Sequence, residues 1–277
     1  MPRPTFARLR RELRRFADPR RAREFRRFFQ AFPGGYGHPD RFLGVRVPGI
    51  RAIAKEASLL ADADLLRFLE SPWHEERLLA LAAWECQVRR APAIRRARIA
   101  RLYLRALDRL NNWDLVDLSA PSLLGEWLVD RSRDLLHRLA SSPSLWRRRV
   151  AVIATFAFIR RGDFHDTLRL CRALLGDRHD LIHKACGWML REVGKRDPRA
   201  LRGFLRAHAT RMPRTMLRYA IERLPAAERR RWLVTSRSLQ RGRSARPTSA
   251  GSGGNRPVRA GDPRAARRVL AHSPSPT

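Results

Sequence analysis

Asn111-Asn112-Trp113-Asp114-Leu115-Val116-Asp117 is the stretch around which the rest of the chain reads as organised. Asparagine is a favoured N-cap, so a helix is predicted to open near Trp113. Trp113 and Asp117 are four residues apart and would share one face of it. Leu115, Val116 and Leu118 supply an apolar side for packing. A plainer reading also fits, with Trp113 as core and Asp117 as an acid placed near a helix start by the dipole.

Outward from this stretch the pattern is helix after helix. Upstream, apolar spacing predicts helices over 3–17, 20–32, 49–60, 62–70, 72–89 and 92–110. In the helix that Ser71-Pro72 starts, His74, Glu75, Glu76 and Arg77 read as a polar first turn. Pro33-Gly34-Gly35-Tyr36-Gly37-His38-Pro39 reads as a loop, either a plain connector or one offering glycine amides to a nucleic-acid backbone. Downstream, Pro121 is predicted to start a helix to 129, followed by 131–140, 144–160, 164–175, a helix capped by Asp180 to 194, then 198–208, 213–222 and 226–234. No segment reads as a strand.

Helix pairs repeat at roughly 35 to 45 residues, the spacing of HEAT-like repeats. The expected fold is therefore all-α, a HEAT-like helical repeat superhelix (α-solenoid) with a concave basic groove, over residues 1–235; a compact bundle is the rival architecture. From 236 to 277 the composition turns to Arg, Ser, Pro and Gly, and a disordered tail is predicted.

The chain has 59 Lys plus Arg against 26 Asp plus Glu, a formal charge of +33 over 277 residues. Such an excess implies a polyanionic partner, nucleic acid before an anionic membrane. Cys86, Cys171 and Cys186 form no CxxC pair and read as small buried residues, so no metal is expected and a reducing compartment fits. No apolar run approaches the roughly 18 residues of a membrane span, and no signal peptide is expected.

Nucleotide-binding glycine fingerprints, a P-loop, HExxH and a serine elbow are all missing from the sequence. A carboxylate beside flat aromatics and arginines can nevertheless support one demanding reaction. When an N-glycosidic bond to an alkylated purine breaks, the leaving base is already cationic and needs no strong acid. The sugar becomes oxocarbenium-like, and a nearby carboxylate stabilises it and orients water. Aromatic faces can hold the cationic nucleotide, and arginine forks the flanking phosphates.

Asn112 to Asp117, with Pro121 and Leu124-Gly125, resembles the signature of the DNA alkylation repair family, the AlkD-like DNA glycosylases. Further matching segments are Phe42 to Pro48, Ser71 to Leu81, Trp146 to Phe158, Ile182 to Trp188 with Leu190-Arg191-Glu192, and Met212 to Glu222. The resemblance spans roughly 20–235 in order. It implies a superhelix of HEAT-like repeats on duplex DNA, excision of N3- and N7-alkylated purines as free bases without deep base flipping, and no cofactor. It further implies Asp117 as the catalytic aspartate, Trp113 and Trp188 as the site tryptophans and Arg149 as the site arginine. Arg147 and Arg148 flank that arginine, and helical phase alone does not separate the three. Arg147, Arg148, His183, Lys184, Arg191 and Arg214 are the candidate DNA-binding residues. The expected partner is double-stranded DNA containing alkylated purines, engaged by a monomer in a cytoplasmic, nucleoid-associated setting of bacterial type. A noncatalytic nucleic-acid-binding or protein-binding scaffold is the alternative.

Overall fold

A computed structural model describes residues 4–234. The predicted tail at 236–277 lies outside the described residues. Every regular element among them is helical, and the one departure is an isolated parallel bridge between Arg41 and Trp73. None of these helices is long and apolar enough to cross a membrane. The chain divides between Ser119 and Ala120 into two compact units.

The first unit contains α1 (Phe6–Arg15), α2 (Pro19–Phe28), α3 (Val47–Ala57), α4 (Asp62–Leu69), α5 (His74–Val88), α6 (Ala93–Arg105) and the opening of α7 (Trp113–Ala120). Local signals start the first two helices. The Thr5 side chain accepts from the Arg8 amide, and the Asp18 carboxylate accepts from the amides of Arg20 and Arg21 ahead of Pro19. The helix expected over 92–110 ends earlier, and a 3-10 turn over Leu107–Arg109 leads to the central motif.

The core of this unit is α5. Every residue from His74 to Trp84 is buried, as befits a helix covered on all sides. It packs against α3, α4 and α6. The polar first turn read at His74, Glu75, Glu76 and Arg77 is therefore buried. Its groups meet protein partners instead of water: the preceding loop, through Asp40 and the amides at 43–45, meets His74, Arg77 and Glu75, while Arg10, Arg14 and Ser71 meet Glu76.

That loop is a folded element in its own right. The amides of Gly35 and Gly37 donate to the carbonyls of Phe32 and Gln30, so these two are used inside the protein. The Arg41 amide donates to the Pro72 carbonyl and the His74 amide to the Arg41 carbonyl. Gly44 has φ +81°, and a Cβ there would stand 2.2 Å from the Asp18 carbonyl oxygen. At this bend the amides of Leu43, Gly44 and Val45 converge on the Glu75 carboxylate at 2.9, 2.8 and 3.2 Å.

The second unit contains α8 (Glu126–Leu128), α9 (Asp134–Ala140), α10 (Leu145–Ala154), α11 (Phe156–Ile159), α12 (His165–Ala173), α13 (Asp180–Arg196), α14 (Pro198–His208), α15 (Arg214–Ala220) and a last helix over 226–234. Its central helix is α13, packed on α10, α12, α14 and α15. A Cβ at Gly187 would lie 2.5 Å from the Tyr219 Cβ and 2.6 Å from the Met216 carbonyl oxygen, so α13 and α15 touch almost backbone to backbone there.

Further boundaries differ from expectation. Pro121 does not begin a fresh helix; a π-helical segment, Pro121–Gly125, follows directly on α7. A wider turn accommodates the missing N–H and the ring of an internal proline. The long helix expected over 144–160 breaks at Thr155, whose buried hydroxyl donates to the Val152 carbonyl at 2.7 Å and competes with the helical ladder. At the start of α13 the capping acceptor is His179 Nδ1, which receives the Leu181 amide at 3.2 Å, and Asp180 is the first helical residue. Of the cysteines, Cys171 and Cys186 are buried as expected, whereas Cys86 is only half-buried.

Candidate active site

The central motif folds as its residue types predict. α7 opens at Trp113, and the Asn112 side-chain oxygen accepts from the Trp113 amide at 2.9 Å. Leu115, Val116 and Ser119 face inward and are fully buried. Trp113 and Asp117, one turn apart, each retain partial solvent access. The helix thus presents an indole and a carboxylate outward while its opposite side is packed.

Beneath Asp117 lies Tyr103, fully buried. Ser119 Oγ is 2.6 Å from the Leu115 carbonyl and 2.9 Å from the Tyr103 hydroxyl. A serine has a single proton, and the short contact to the carbonyl claims it, so the phenol donates to Ser119. Burial pushes the phenol well above its usual pKa, and the negative charge of Asp117 adds to the rise. Tyr103 therefore stays neutral and acts as a dipole near the carboxylate.

The indole of Trp113 leans on Phe28 and Phe29, with ring centroids 5.9 and 5.5 Å away. Phe29 and Phe42, stacked on each other at 5.3 Å, both lie against the imidazole of His74, at 5.1 and 4.9 Å. His74 Nδ1 lies 3.1 Å from Asp40 Oδ2, and its Nε2 lies 2.7 Å from Asp114 Oδ2. Asp40 also receives the Asn111 side-chain amide at 2.5 Å and faces Arg77 Nη2 at 2.6 Å, an ion pair without linear hydrogen-bond geometry. Burial pushes the Asp40 carboxyl upward, but the bond from His74 and the charge of Arg77 outweigh it and hold it below its ordinary value. Asp40, His74, Arg77, Asn111 and Asp114 were not singled out as site residues in the sequence. Their available signal was a block of polar letters at the start of a helix too apolar elsewhere to have a wet side.

The second unit holds the other expected site residues. Trp188, on α13, is half-buried, and its Nε1 donates to Glu192 Oε1 at 3.2 Å. Glu192 is itself buried and pairs with Lys195 at 2.7 Å, and Phe156 lies 6.2 Å from the indole. Arg149 is the buried member of Arg147–Arg149, with 4% exposure, and donates to the Leu181 carbonyl. Arg149 is thus the least accessible of the three, and Arg147 and Arg148 keep partial solvent access. Arg148 is committed elsewhere: Nε bonds Asp177 at 2.6 Å and Nη1 reaches the Ser142 and Pro143 carbonyls at 2.9 and 2.8 Å.

The remaining expected DNA contacts are partly occupied within the protein. His183 Nε2 lies 2.6 Å from the Asp177 carbonyl, and Lys184 pairs with Asp180 at 2.8 Å. Arg191 pairs with Glu222, and Arg214 donates to the Leu233 carbonyl at 3.1 Å. Arg147 and these four all keep partial solvent access. Among the described residues, no group of three His, Cys, Asp or Glu side chains could hold a metal ion.

The family model for the DNA alkylation repair enzyme matches residues 9–224. The chain belongs to that family. The match takes in α7 and the buried cluster under Trp113, as well as Arg149 and Trp188. A solved structure from Enterococcus faecalis, described as a predicted DNA alkylation repair enzyme, is 17% identical. It superposes with a TM-score of 0.58 over 76% of this chain and 97% of its own. At that identity the likeness shows a shared helical fold. No curated protein matches the chain.

Proposed function

We propose that this member of the family is a monofunctional DNA glycosylase that hydrolyses the N-glycosidic bond of N3- and N7-alkylated purines in duplex DNA. DNA alkylation repair follows from the family; the reaction and its residues are our reading. The observation that carries it is the pairing of Trp113 and Asp117 on the accessible side of a helix whose other side is fully buried.

The chemistry follows from charge. Alkylation at N3 or N7 makes the purine a cationic leaving group, so bond breaking needs no proton delivered to the base. Positive charge then builds on C1′ and the ring oxygen of the sugar. The Asp117 carboxylate faces that charge, stabilises it, and orients or deprotonates the attacking water. The indole of Trp113 gives the deoxyribose and cationic base a flat, electron-rich face. Within the second unit, half-buried Trp188 offers DNA a stacking face, and Arg149 contributes a phosphate contact only if released from the Leu181 carbonyl. Arg147, His183, Lys184, Arg191 and Arg214 add phosphate contacts, while Arg148 contributes only if released from Asp177. No cofactor takes part, the protein acts as a monomer, and the reaction belongs with the nucleoid in the cytoplasm.

The test is release of free N3-methyladenine from methylated duplex DNA under single turnover. Wild-type protein should release the base. Asp117→Asn, with circular dichroism and duplex affinity unchanged, should be slower by about 10²-fold or more, about 2.7 kcal/mol of transition-state stabilisation. A rate within about threefold of wild type would remove Asp117 as the catalytic carboxylate. Salt-sensitive DNA binding with no base release by the wild type would instead make the chain a noncatalytic binder.

A further inference from the structure

The motif that presents Trp113 and Asp117 is anchored by groups that touch no substrate in this reading. The His74 ring is 1% exposed. Each of its nitrogens meets a carboxylate oxygen, Asp40 on one side at 3.1 Å and Asp114 on the other at 2.7 Å. A neutral imidazole has one N–H and one lone pair, and would turn the lone pair against one of the two acids. Only the doubly protonated ring satisfies both. Charge balances accordingly: Asp40 and Asp114 are negative, and His74 and Arg77 positive. The remaining acid nearby, Glu75, is engaged by three backbone amides. Burial lowers the affinity of His74 for its proton, but the charge of Asp114 and the bonds from Asp114 and Asp40 overcome this and raise its pKa to about 9.

The three bonded elements are distinct in sequence. Asp40 belongs to the loop that ends α2's segment, His74 opens α5, and Asp114 lies in the first turn of α7 beside Trp113. Asn111 ties the same Asp40 to the residues just before α7. Phe29 stacks on His74 and contacts Trp113, so the imidazole and the indole share a neighbour.

We propose that His74 is a positioning residue: as an imidazolium clamped between Asp40 and Asp114 it locks the first turn of α7 and thereby sets the Trp113 indole and the Asp117 carboxylate in their working places. The proposal rests on the reading of Asp117 as the catalytic acid for its effect on rate; the clamp itself is independent of that reading. His74 would act through α7 and never on the sugar. Loss of its charge frees Asp114, frays the first turn and leaves Asp117 on a mobile helix end.

The test uses the full chain and His74→Phe, which keeps a ring against Phe29 and Phe42 but no N–H. Three readouts are taken: the nitrogen-15 spectrum of the wild-type histidine side chains, amide hydrogen exchange by mass spectrometry, and single-turnover release of N3-methyladenine alongside duplex affinity. We expect both His74 ring nitrogens protonated at pH 7.5. We expect the variant to exchange at least tenfold faster over 111–119 with peptides of α13 unchanged. We also expect base release at least tenfold slower with affinity within threefold of wild type. A singly protonated His74 at pH 7.5 overturns the clamp. Unchanged exchange over 111–119 in a folded His74→Phe protein also overturns it. If exchange rises in that segment and the rate does not fall, positioning is overturned while Asp117→Asn still reports separately on the catalytic acid.

Should His74→Phe unfold, Asp114→Asn decides, since it removes one acid from the edge of the cluster. The expected result is local loss of protection and slower release, both restored in Asp114→Glu. Wild-type protection and rate in Asp114→Asn would overturn the proposal.

Discussion

Nε2 of His74 sits 2.7 Å from Oδ2 of Asp114, the residue that follows Trp113. The bond joins the buried start of α5 to the first turn of the helix that displays the candidate catalytic acid. It also sets a pH dependence. The proton of His74 is held to about 9 in the folded protein against an ordinary 6.5. A raised pKa means the folded state binds the proton more tightly. Its contribution to stability is therefore complete below about 6.5 and is lost as pH rises through about 9. Urea midpoints of the wild type should fall between roughly pH 7 and 9.5, and those of His74→Phe should change less. Parallel curves for the two proteins would contradict this.

The tryptophans should behave differently from Asp117. Removing an aromatic face takes away stacking in the bound complex as well as in the transition state, at about 1–3 kcal/mol per stacked base. Trp113→Ala and Trp188→Ala should each weaken affinity for lesion-bearing duplex by about tenfold and slow release as well. Fluorescence anisotropy with single-turnover kinetics separates the effects. A pure rate effect at either position would count against a stacking role.

Glu75 is a structural acid. Its carboxylate gathers three buried amides at the bend that Gly44 makes. Burial raises its pKa above the usual carboxylate range. Glu75→Ala strands those amides at about 1–3 kcal/mol each, so an overall loss of about 3 kcal/mol or more is expected in urea denaturation. Glu75→Gln keeps one acceptor oxygen and should lose less. Equal stability for Glu75→Ala and wild type would refute the account.

Gly187 lies one residue before Trp188 on α13, against Tyr219 and Met216 of α15. Alanine has the higher helix propensity, by about 1 kcal/mol. Contacts of 2.5 and 2.6 Å leave no room for the methyl group, and overpacking costs about 1–3 kcal/mol. Gly187→Ala should therefore be less stable on thermal melting, and its Trp188 fluorescence should shift. A rise in melting temperature would show that α15 moves aside freely.

No strand cleavage should accompany base release. A lyase step needs an amine to form a Schiff base with the sugar. The chain has three lysines, Lys55, Lys184 and Lys195. Lys184 is paired with Asp180 and Lys195 with Glu192. Borohydride should trap no covalent protein–DNA adduct, and recovery of one would overturn the hydrolytic mechanism.

The helical content and most helix positions were legible in the sequence because apolar spacing at three and four residues records which side is buried. Asn112 before Trp113 marked a helix start correctly, since capping acts within one turn. Pro121 misled because proline at a helix start and proline inside a helix with a π-turn share the same neighbours. Asp180 misled because His179, with its own ring acceptor, occupied the capping position.

Trp113 and Asp117 were named from a local motif and Trp188 and Arg149 from the family resemblance, and the sequence by itself determined their helices, their spacing and the basic character of the chain. Only the tertiary structure decided which polar residues are buried. His74, Asp40, Asp114 and Asn111 are separated by up to 74 positions along the chain, from 40 to 114, and meet because loop and helix fold over the start of α5. The physical reason is range: capping and periodicity act over a turn or two. The partner of a buried charge is chosen by whichever distant segment excludes the water around it.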